Sequence, residues 1–238
     1  HYRSHSFPTR RSSDLERYNT DKKLILKASD ISKSYNSDKN RIKVVDNYNI
    51  DLFSSEFVSL TGPSGCGKTT ILMIIGCLLK PDHGTVEIDG LDIYSMNSSR
   101  IAEQRSKKIG FIYQDFKLIP YLTIKENILC SSLINDVGNL EDKANDLILR
   151  LGLIHRVNHR PEQLSAGEKQ RTAIARALLM EPKLIIADEP TGNLDKKNSS
   201  LVIEALKHYS DEGACVIMVS HDEDVKKSSD RHIQMDPI

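Results

Sequence analysis

Apolar runs of two lengths alternate along the chain, and this pattern predicts strands that alternate with helices. Runs of strand length lie at Lys23–Ala28, Lys43–Phe53, Phe57–Thr61, Gly84–Asp89, Lys108–Tyr113, Lys183–Ala187 and Ala214–Ser220. Helical patterns cover Ile71–Leu79, Ile124–Leu133, Leu140–Leu151, Ala166–Met180 and Asn198–Tyr209. Such alternation favours a parallel α/β sheet, with a helical block inserted between Pro120 and about Met180.

The stretch from Gly62 to Thr70 carries the most specific local signal. It matches G-x-x-x-x-G-K-[ST], between a predicted buried strand and an apolar helix, which is the context that a phosphate-binding loop requires. Glycines let the backbone approach an anion closely, and the N–H groups of the loop and of the helix N-terminus form a cradle for it. Lys68 can reach the β- and γ-phosphates, and the Thr69 hydroxyl can bind Mg²⁺. The alternative is a glycine-rich turn.

The candidate nucleotide-binding residues of this loop are Gly62, Pro63, Ser64, Gly65, Cys66, Gly67, Lys68, Thr69 and Thr70.

Length and composition limit the number of domains, the partners and the cellular compartment that fit the chain. The 238 residues suffice for one large domain or two small ones, and 33 basic residues balance 33 acidic ones, so no strong field toward nucleic acid or membrane is implied. The longest apolar run, Ile71–Leu79, is too short to span a bilayer. The four cysteines show no C-x-x-C spacing and no disulfide framework, which favours a reducing, cytosolic setting.

The segment His5–Leu15 resembles one reading frame of a common sequencing adapter. We interpret residues 1 to about 15 as a translated library artefact, with a short basic arm as the alternative. Residues 1–22 are therefore interpreted as an adapter-derived artefact or a disordered arm, and the folded domain is expected to cover residues 23–238.

Polar residues close three further predicted strands. Gln114 follows the strand that ends at Tyr113, Asp188 and Glu189 follow the run 183–187, and His221 follows the run 214–220. Asp188 ends a buried strand beside the glycine loop, where its carboxylate can hold Mg²⁺. Taken alone, the Asp-Glu pair is more often a helix cap or a solvated turn, the histidine a structural residue and the glutamine an unremarkable polar residue.

The stretch Leu164–Arg171 (LSAGEKQR) is a second candidate for anion binding, at the start of a predicted helix. Ser165, Ala166 and Gly167 can open a helix, with Ser165 as the N-cap, and their small size leaves the first N–H groups open to an anion. The alternative is an ordinary helix N-terminus. The run Gly192–Asp195 then follows the Asp-Glu pair.

These motifs, in this order, resemble the ATP-binding cassette (ABC) ATPases over residues 23 to 235. The resemblance implies an α/β P-loop NTPase fold. Its parts are a RecA-like parallel-sheet core, an antiparallel β subdomain and an inserted α-helical subdomain at about residues 115–180. It also implies hydrolysis of ATP with Mg²⁺ as cofactor.

The resemblance also assigns roles to single residues. It implies that Glu189 polarises the attacking water, that His221 contacts the γ-phosphate and that Gln114 senses Mg²⁺ and this water. Asp188 and Thr69 join Gln114 as Mg²⁺-binding candidates, and Tyr35 matches the aromatic residue that stacks on adenine. The alternative for Tyr35 is simple packing.

In the family, the helix that begins at the LSAGEKQR stretch meets the nucleotide held by a second subunit, so the resemblance implies an ATP-bound homodimer. Ser165, Ala166, Gly167, Glu168 and Asp195 are the nucleotide-binding candidates for that contact. Ala166 stands where the family usually has Gly, and Glu168 stands where it usually has Gln. These departures bear on the fine detail of the contact.

Three stretches resemble the lipoprotein-releasing, macrolide-exporter and peptide-antibiotic group of cassettes: Ile74–Leu78, Ile109–Pro120 and Ala187–Asp195. That group implies a separate FtsX-like membrane permease, a peripheral location on the cytoplasmic face of the inner (plasma) membrane, and no nucleic-acid partner. The permease is expected to dock near Gln114–Tyr121, where the apolar residues are Phe116, Leu118, Ile119 and Tyr121. The alternative for these four is core packing.

Two other readings are weighed. An FtsE-like divisome regulator shares this pattern, and sequence barely separates it from an exporter. A soluble ABC ATPase of DNA repair or of the ribosome is disfavoured, because the chain lacks a long coiled-coil insertion, zinc-ligand cysteines and a second cassette.

Overall fold

A computed structural model of the chain describes residues 22–37, 40–134 and 140–238. The interpretation of residues 1 to about 15 as an artefact falls outside these ranges. The described strands are β1 Leu24–Ser37, β2 Asn40–Phe53, β3 Glu56–Thr61, β4 His83–Ile88, β5 Leu91–Asp92, β6 Ile109–Tyr113, β7 Leu184–Asp188, β8 Cys215–Val219 and β9 Arg231–Gln234. The described α-helices are α1 Lys68–Ile75, α2 Ser98–Lys108, α3 Ile124–Leu129, α4 Glu141–Arg150, α5 Ala166–Leu178, α6 Lys196–Asp211 and α7 Glu223–Ser228. Short 3₁₀ helices lie at Cys130–Ile134, Ile154–Arg156 and Pro161–Gln163.

The core is a parallel sheet with strand order β6-β7-β8-β3-β9. Its central strands β7 and β8 are buried along almost their whole length, as apolar strands covered by helices on both faces must be. Helices α5 and α6 supply apolar side chains to one of the cores, among them Ile174, Val202 and Leu206. The predicted parallel α/β sheet is thus confirmed.

A second, antiparallel sheet has the order β2-β1-β4-β5. The sequence pattern ended the first strand at Ala28, and this was wrong, because β1 continues to Ser37. The strand passes Asp30 at a left-handed φ of 55° and several register shifts, which carry it through the polar stretch. Beyond these bulges the carboxylate of Asp82 binds the Lys33 ammonium (2.9 Å) and the Ser34 N–H (2.9 Å).

Helices α3 and α4 pack with Ala175, near the end of α5, in an apolar core of their own that also includes Ile124, Ile128, Ala144, Ile148 and Leu153. Helix α3 ends at Leu129 and continues as a 3₁₀ helix to Ile134, close to the predicted end at Leu133.

Helix α2 had no counterpart in the sequence prediction. None of its residues is buried, so it lacks the apolar stripe on which such predictions depend. Its start is set instead by Asn97, whose side chain accepts from the N–H of Arg100 at 2.9 Å. The short strands β5 and β9, which likewise bury none of their residues, were also missed. Helix α7 was missed as well, and Val225 is its one buried residue.

His232 on β9 is expected to make stability depend on pH. Its ring bonds the hydroxyls of Ser59 (3.0 Å) and Thr61 (3.3 Å) on β3, and burial, followed by the charge of Lys226, lowers its pKa. Between the lowered folded pKa and the ordinary value near 6.5, the unfolded chain binds more protons, so stability falls as the pH drops through that window.

The check is urea unfolding from about pH 8 to about pH 5 for the parent and His232→Gln. The parent should lose more stability than the variant, with a difference in slope below about 1.4 kcal/mol per pH unit. If the free energy of unfolding changes with pH in the same way in both proteins, His232 is not the source of the pH dependence.

Candidate nucleotide-binding site

Four loops of the predicted site leave the parallel sheet side by side. Tyr113 pairs with Asp188, Asp188 with Val219, and Val219 with Leu60, so the ends of four strands form one row. The loops that begin after this row hold Gln114, Glu189, His221 and the glycine stretch from Gly62. Open α/β sheets bind ligands at this carboxyl edge. The register therefore brings together candidates that lie far apart in the sequence.

The glycine loop has the conformation and the close packing that its glycines permit. Gly65 and Gly67 have φ of 82° and 96°, in the left-handed region that disfavours other residues. A Cβ on Gly67 would lie 2.6 Å from the carbonyl oxygen of Val44 on β2, so the antiparallel sheet presses against this loop. Helix α1 begins directly after Gly67 with no side-chain cap and no acidic residue in its first turn. Its first N–H groups and the positive end of its dipole are thus available to an anion.

Lys68 lies at the centre of the loop. Its side chain is buried, with the residue 8% exposed, and its ammonium donates to the carbonyl oxygens of Gly62 and Pro63, at 2.8 Å each. Main-chain bonds hold the charge in place within the loop, where a phosphate group would meet it.

Asp188 and Thr69 form the candidate Mg²⁺ position. The pKa of Asp188 is raised, chiefly by burial. The hydrogen bond from the Thr69 hydroxyl and the charge of Lys68 lower this pKa, whereas the charge of Glu189 raises it further. The described residues contain no group of three or more His, Cys, Asp or Glu side chains that would hold a metal alone. One carboxylate and one hydroxyl fit Mg²⁺, which keeps several waters and uses substrate phosphates as ligands.

Glu189 and His221 face the same cleft. Glu189 has a left-handed φ of 46° and donates its N–H to the Val219 carbonyl at 3.0 Å, which ties the residue to the end of β8. Its Oε1 lies 3.7 Å from His221 Nε2, and the two side chains are 34% and 62% exposed. A cavity of about 400 Å³ includes both, together with Thr191, Gly192 and Ser220. A general base must be accessible to water, and the exposure of Glu189 meets this requirement.

Gln114 is held close to the loop that follows Glu189. Its carbonyl accepts from the Asn193 side chain at 3.2 Å, and a Cβ on Gly192 would lie 2.9 Å from its Nε2. Gly192 in turn donates its N–H to the Glu189 carbonyl at 3.1 Å. Asn193 was part of a recognised stretch, but sequence reasoning gave it no role.

The second predicted group, around α5, is separate from the glycine loop. Ser165 is the N-cap of α5, as predicted: its Oγ accepts from the Glu168 N–H at 3.3 Å. Glu168 accepts the Ser165 N–H at 2.8 Å and pairs with Arg156 at 3.0 Å. The glutamate that departs from the family pattern thus completes a capping box. Ala166, beside Ser165, is exposed.

Asp195 is the N-cap of α6 and accepts from the Asn198 N–H at 2.8 Å. The hydrogen bonds from Asn198 hold its pKa below the usual value. Among the described residues, no hydrogen bond joins Ser165, Glu168 or Asp195 to the glycine loop.

Tyr35 lies on β1, 43% exposed, opposite Ile42 of β2. Farther along the same pair of strands, Val45 lies opposite Lys33 and contacts the position of Gly67. An exposed aromatic face is thus available on the sheet that packs against the glycine loop.

Two supports of the loop were missed by sequence reasoning. A Cβ on Gly62 would collide with the carbonyl of Met235, and Gly67 lies against that of Val44. In both cases the closest approach is by a main-chain oxygen, which the sequence does not reveal.

No helix in the described part of the chain is long and apolar enough to cross a membrane.

The family model described as "ABC transporter" matches residues 45–192. The chain is 39% identical to the uncharacterized ABC transporter ATP-binding protein YknY of Bacillus subtilis, over 89% of this chain and 93% of that protein. It is 41% identical to the lipoprotein-releasing system ATP-binding protein LolD 1 of Rhodopirellula baltica, over 83% and 87%.

Among solved structures, the dimeric ABC transporter cassette MJ0796 has a TM-score of 0.83, with 37% identity over 89% of this chain and 94% of that one. The same cassette in a post-hydrolysis state, bound to ADP and Pi, has a TM-score of 0.82. With the phosphate-binding loop, the row of strand ends and the carboxylate pair already described, these matches establish that the chain belongs to the ABC transporter family and is its ATP-binding, ATP-hydrolysing subunit.

Proposed function

We propose that the chain binds ATP with Mg²⁺ at the loop 62–70 and hydrolyses it at the edge of the parallel sheet, in an ATP-bound homodimer that energises a membrane permease. The observation that carries the hydrolytic part is the row Tyr113–Asp188–Val219–Leu60, because it puts Gln114, Glu189 and His221 beside the phosphate cradle.

The geometry of the site supports a role for each residue. The N–H groups of Gly65, Gly67 and the start of α1 bind phosphate oxygens, and Lys68 neutralises their charge. Asp188 and Thr69 hold Mg²⁺, which supplies neutralisation of the charge on the phosphates. Catalysis of phosphoryl transfer is mostly positioning and electrostatic stabilisation, so most residues here serve as fixed charges and donors.

Glu189 accepts a hydrogen bond from the attacking water and orients it toward the γ-phosphate. His221, whose Nε2 lies 3.7 Å from the Glu189 carboxylate, lines the same cleft and donates to the γ-phosphate. Gln114, whose main-chain carbonyl is bonded by Asn193 and whose amide lies beside Gly192, would contact the water and the metal.

The test is phosphate release by the purified chain with ATP, with and without Mg²⁺. We expect Mg²⁺-dependent turnover; release at the level of buffer alone, from chain that still binds ATP, would contradict the proposal.

A second copy of the chain completes each site. Ser165, Ala166, Gly167, Glu168 and Asp195 form a group apart from the glycine loop of their own chain, and they face the nucleotide of the partner. The dimeric state of the MJ0796 cassette, 37% identical, supports this arrangement. Tyr35 stacks on the adenine from the antiparallel sheet.

Residues 23–238 form the cassette, and its helical subdomain spans about residues 115–180. The separate apolar core of α3 and α4 supports this division.

The membrane partner is an FtsX-like permease for export of a lipoprotein, peptide or antibiotic, and the cassette acts at the cytoplasmic face of the plasma membrane. The similarity to LolD 1 supports this reading. The equal numbers of acidic and basic residues support the absence of a nucleic-acid partner. An FtsE-like divisome regulator remains the alternative, because it works with a permease of the same fold. In that case ATP use controls cell-wall cleavage instead of transport.

Tyr121 is the sharpest test of permease docking. It is 70% exposed, whereas Phe116 is half-buried and its carbonyl accepts from Arg176 at 2.9 Å. We expect Tyr121→Ala to reduce membrane association severalfold in cells that express the permease, and to keep basal ATPase near the parent value. The measurements are membrane flotation and phosphate release by the purified chain.

The matched control is Leu149→Ala, at a side chain of similar exposure (64%) on α4. Unchanged flotation of Tyr121→Ala, or an equal loss for the control, contradicts docking at this surface. Parallel loss of ATPase would assign Tyr121 to packing instead.

A further inference from the structure

Asn198, in the first turn of α6, connects two parts of the site that lie far apart in the sequence. Its backbone N–H donates to Asp195 Oδ1 and its amide Nδ2 to Asp195 Oδ2, at 2.8 Å each. Its Oδ1 accepts from Arg171 Nη1 on α5 at 2.7 Å. One side chain thus bridges the end of the Gly192–Asp195 loop and the helix that begins with Ser165–Glu168.

The bridge requires an amide. The oxygen faces a guanidinium and the nitrogen faces a carboxylate, so each end has a partner of matching polarity, and the opposite flip would match neither. An aspartate at 198 would accept from Arg171 but repel Asp195. An aliphatic residue would leave both partners unbonded.

Gly167 extends this link to the main chain of α5. A Cβ at Gly167 would collide with the side-chain amide of Asn198, so the first turn of α5 approaches α6 closely only because this residue is glycine. The position of the α5 N-terminus relative to Asp195 is therefore set by contact as well as by hydrogen bonds.

We infer that Asn198 is a positioning residue that sets the spacing between Asp195 and the N-terminus of α5. The inference rests on the proposed function, in which both elements face the nucleotide of the partner subunit. In the described part of the chain, the side-chain hydrogen bonds of Asn198 go to Arg171 and Asp195 and none reaches the glycine loop. Asn198 acts on assembly of the ATP-bound dimer and leaves the first binding of nucleotide to each chain unaffected.

The test is a double-mutant cycle with Asn198→Ala and Arg171→Met, made in the Glu189→Gln background so that ATP persists. Dimerisation with ATP is followed by light scattering across protein concentrations, and ADP affinity is measured on dilute monomer. We expect each single variant to weaken dimerisation about tenfold. The double variant should dimerise as well as the more weakly dimerising of the two single variants, because both remove the same interaction. ADP affinity should stay at the parent value.

The matched control is Glu204→Ala, at an exposed position on the same helix, which should dimerise like the parent. Dimerisation of Asn198→Ala equal to the parent, additive losses in the double variant, or a parallel loss of ADP affinity would each overturn the inference. If the Glu189→Gln parent itself fails to dimerise with ATP, the proposed function falls and this inference falls with it.

Discussion

Glu189→Gln is expected to reduce ATP turnover by about 10²–10⁴-fold, the contribution typical of a positioned general base. The amide keeps the size of the side chain but cannot take a proton from the attacking water. Lys68, Asp188 and the glycine loop are unchanged, so ATP should still bind, and the ATP-bound dimer should accumulate. Turnover is measured as phosphate release under saturating ATP, and the dimer by size-exclusion chromatography with light scattering.

The control is Glu204→Gln, the same change at an exposed glutamate of α6, which should turn over like the parent. Near-normal turnover in Glu189→Gln would remove Glu189 from the mechanism. Weakened ATP binding in that variant would instead indicate a role in holding the nucleotide.

Lys68→Met is expected to weaken ATP binding by about 10- to 100-fold, the cost of losing a charged hydrogen bond to phosphate. Methionine keeps most of the aliphatic stem, so the packing of this buried side chain is largely preserved. The carbonyl oxygens of Gly62 and Pro63 lose their ammonium partner, which can also loosen the loop. Affinity is measured by isothermal titration calorimetry with ATP and Mg²⁺.

Thermal unfolding without nucleotide separates these two effects. A melting temperature close to that of the parent, with weakened ATP binding, assigns the loss to the missing charge. Lys227→Met is the control, since it removes an exposed ammonium from α7. Parent-like affinity in Lys68→Met would contradict the assigned role.

Much of the site was predictable because its motifs depend on local chemistry. The glycine loop must pair positive-φ residues with a helix N-terminus, and Gly65, Gly67 and the start of α1 have this form. Ser165 was predicted as an N-cap because a hydroxyl before a helical stretch satisfies a free N–H, and it does so. The buried strands β7 and β8 were predictable from continuous apolar runs.

Elements without an apolar pattern were not predictable. Helix α2 buries none of its residues, and β1 continues past Ala28 through polar residues held by backbone pairing and by Asp82. The start of α2 is set by the local cap of Asn97, which no apolar stripe accompanies. The second half of β1 depends on partners that are distant in the sequence, so a local pattern carries no trace of it.

By itself the sequence determined the parallel α/β class and the phosphate-binding loop, because these follow from local periodicity and from chemistry within a few residues. The roles predicted for Gln114, Glu189 and His221 came from the family resemblance. The tertiary structure alone decided which strand ends are neighbours, and hence that Gln114, Asp188 and His221 lie at one edge. It alone decided that Val44 supports Gly67 and that Asn198 joins Arg171 to Asp195. The physical reason is that strand register and helix packing depend on contacts between distant segments, which form only when the whole chain folds.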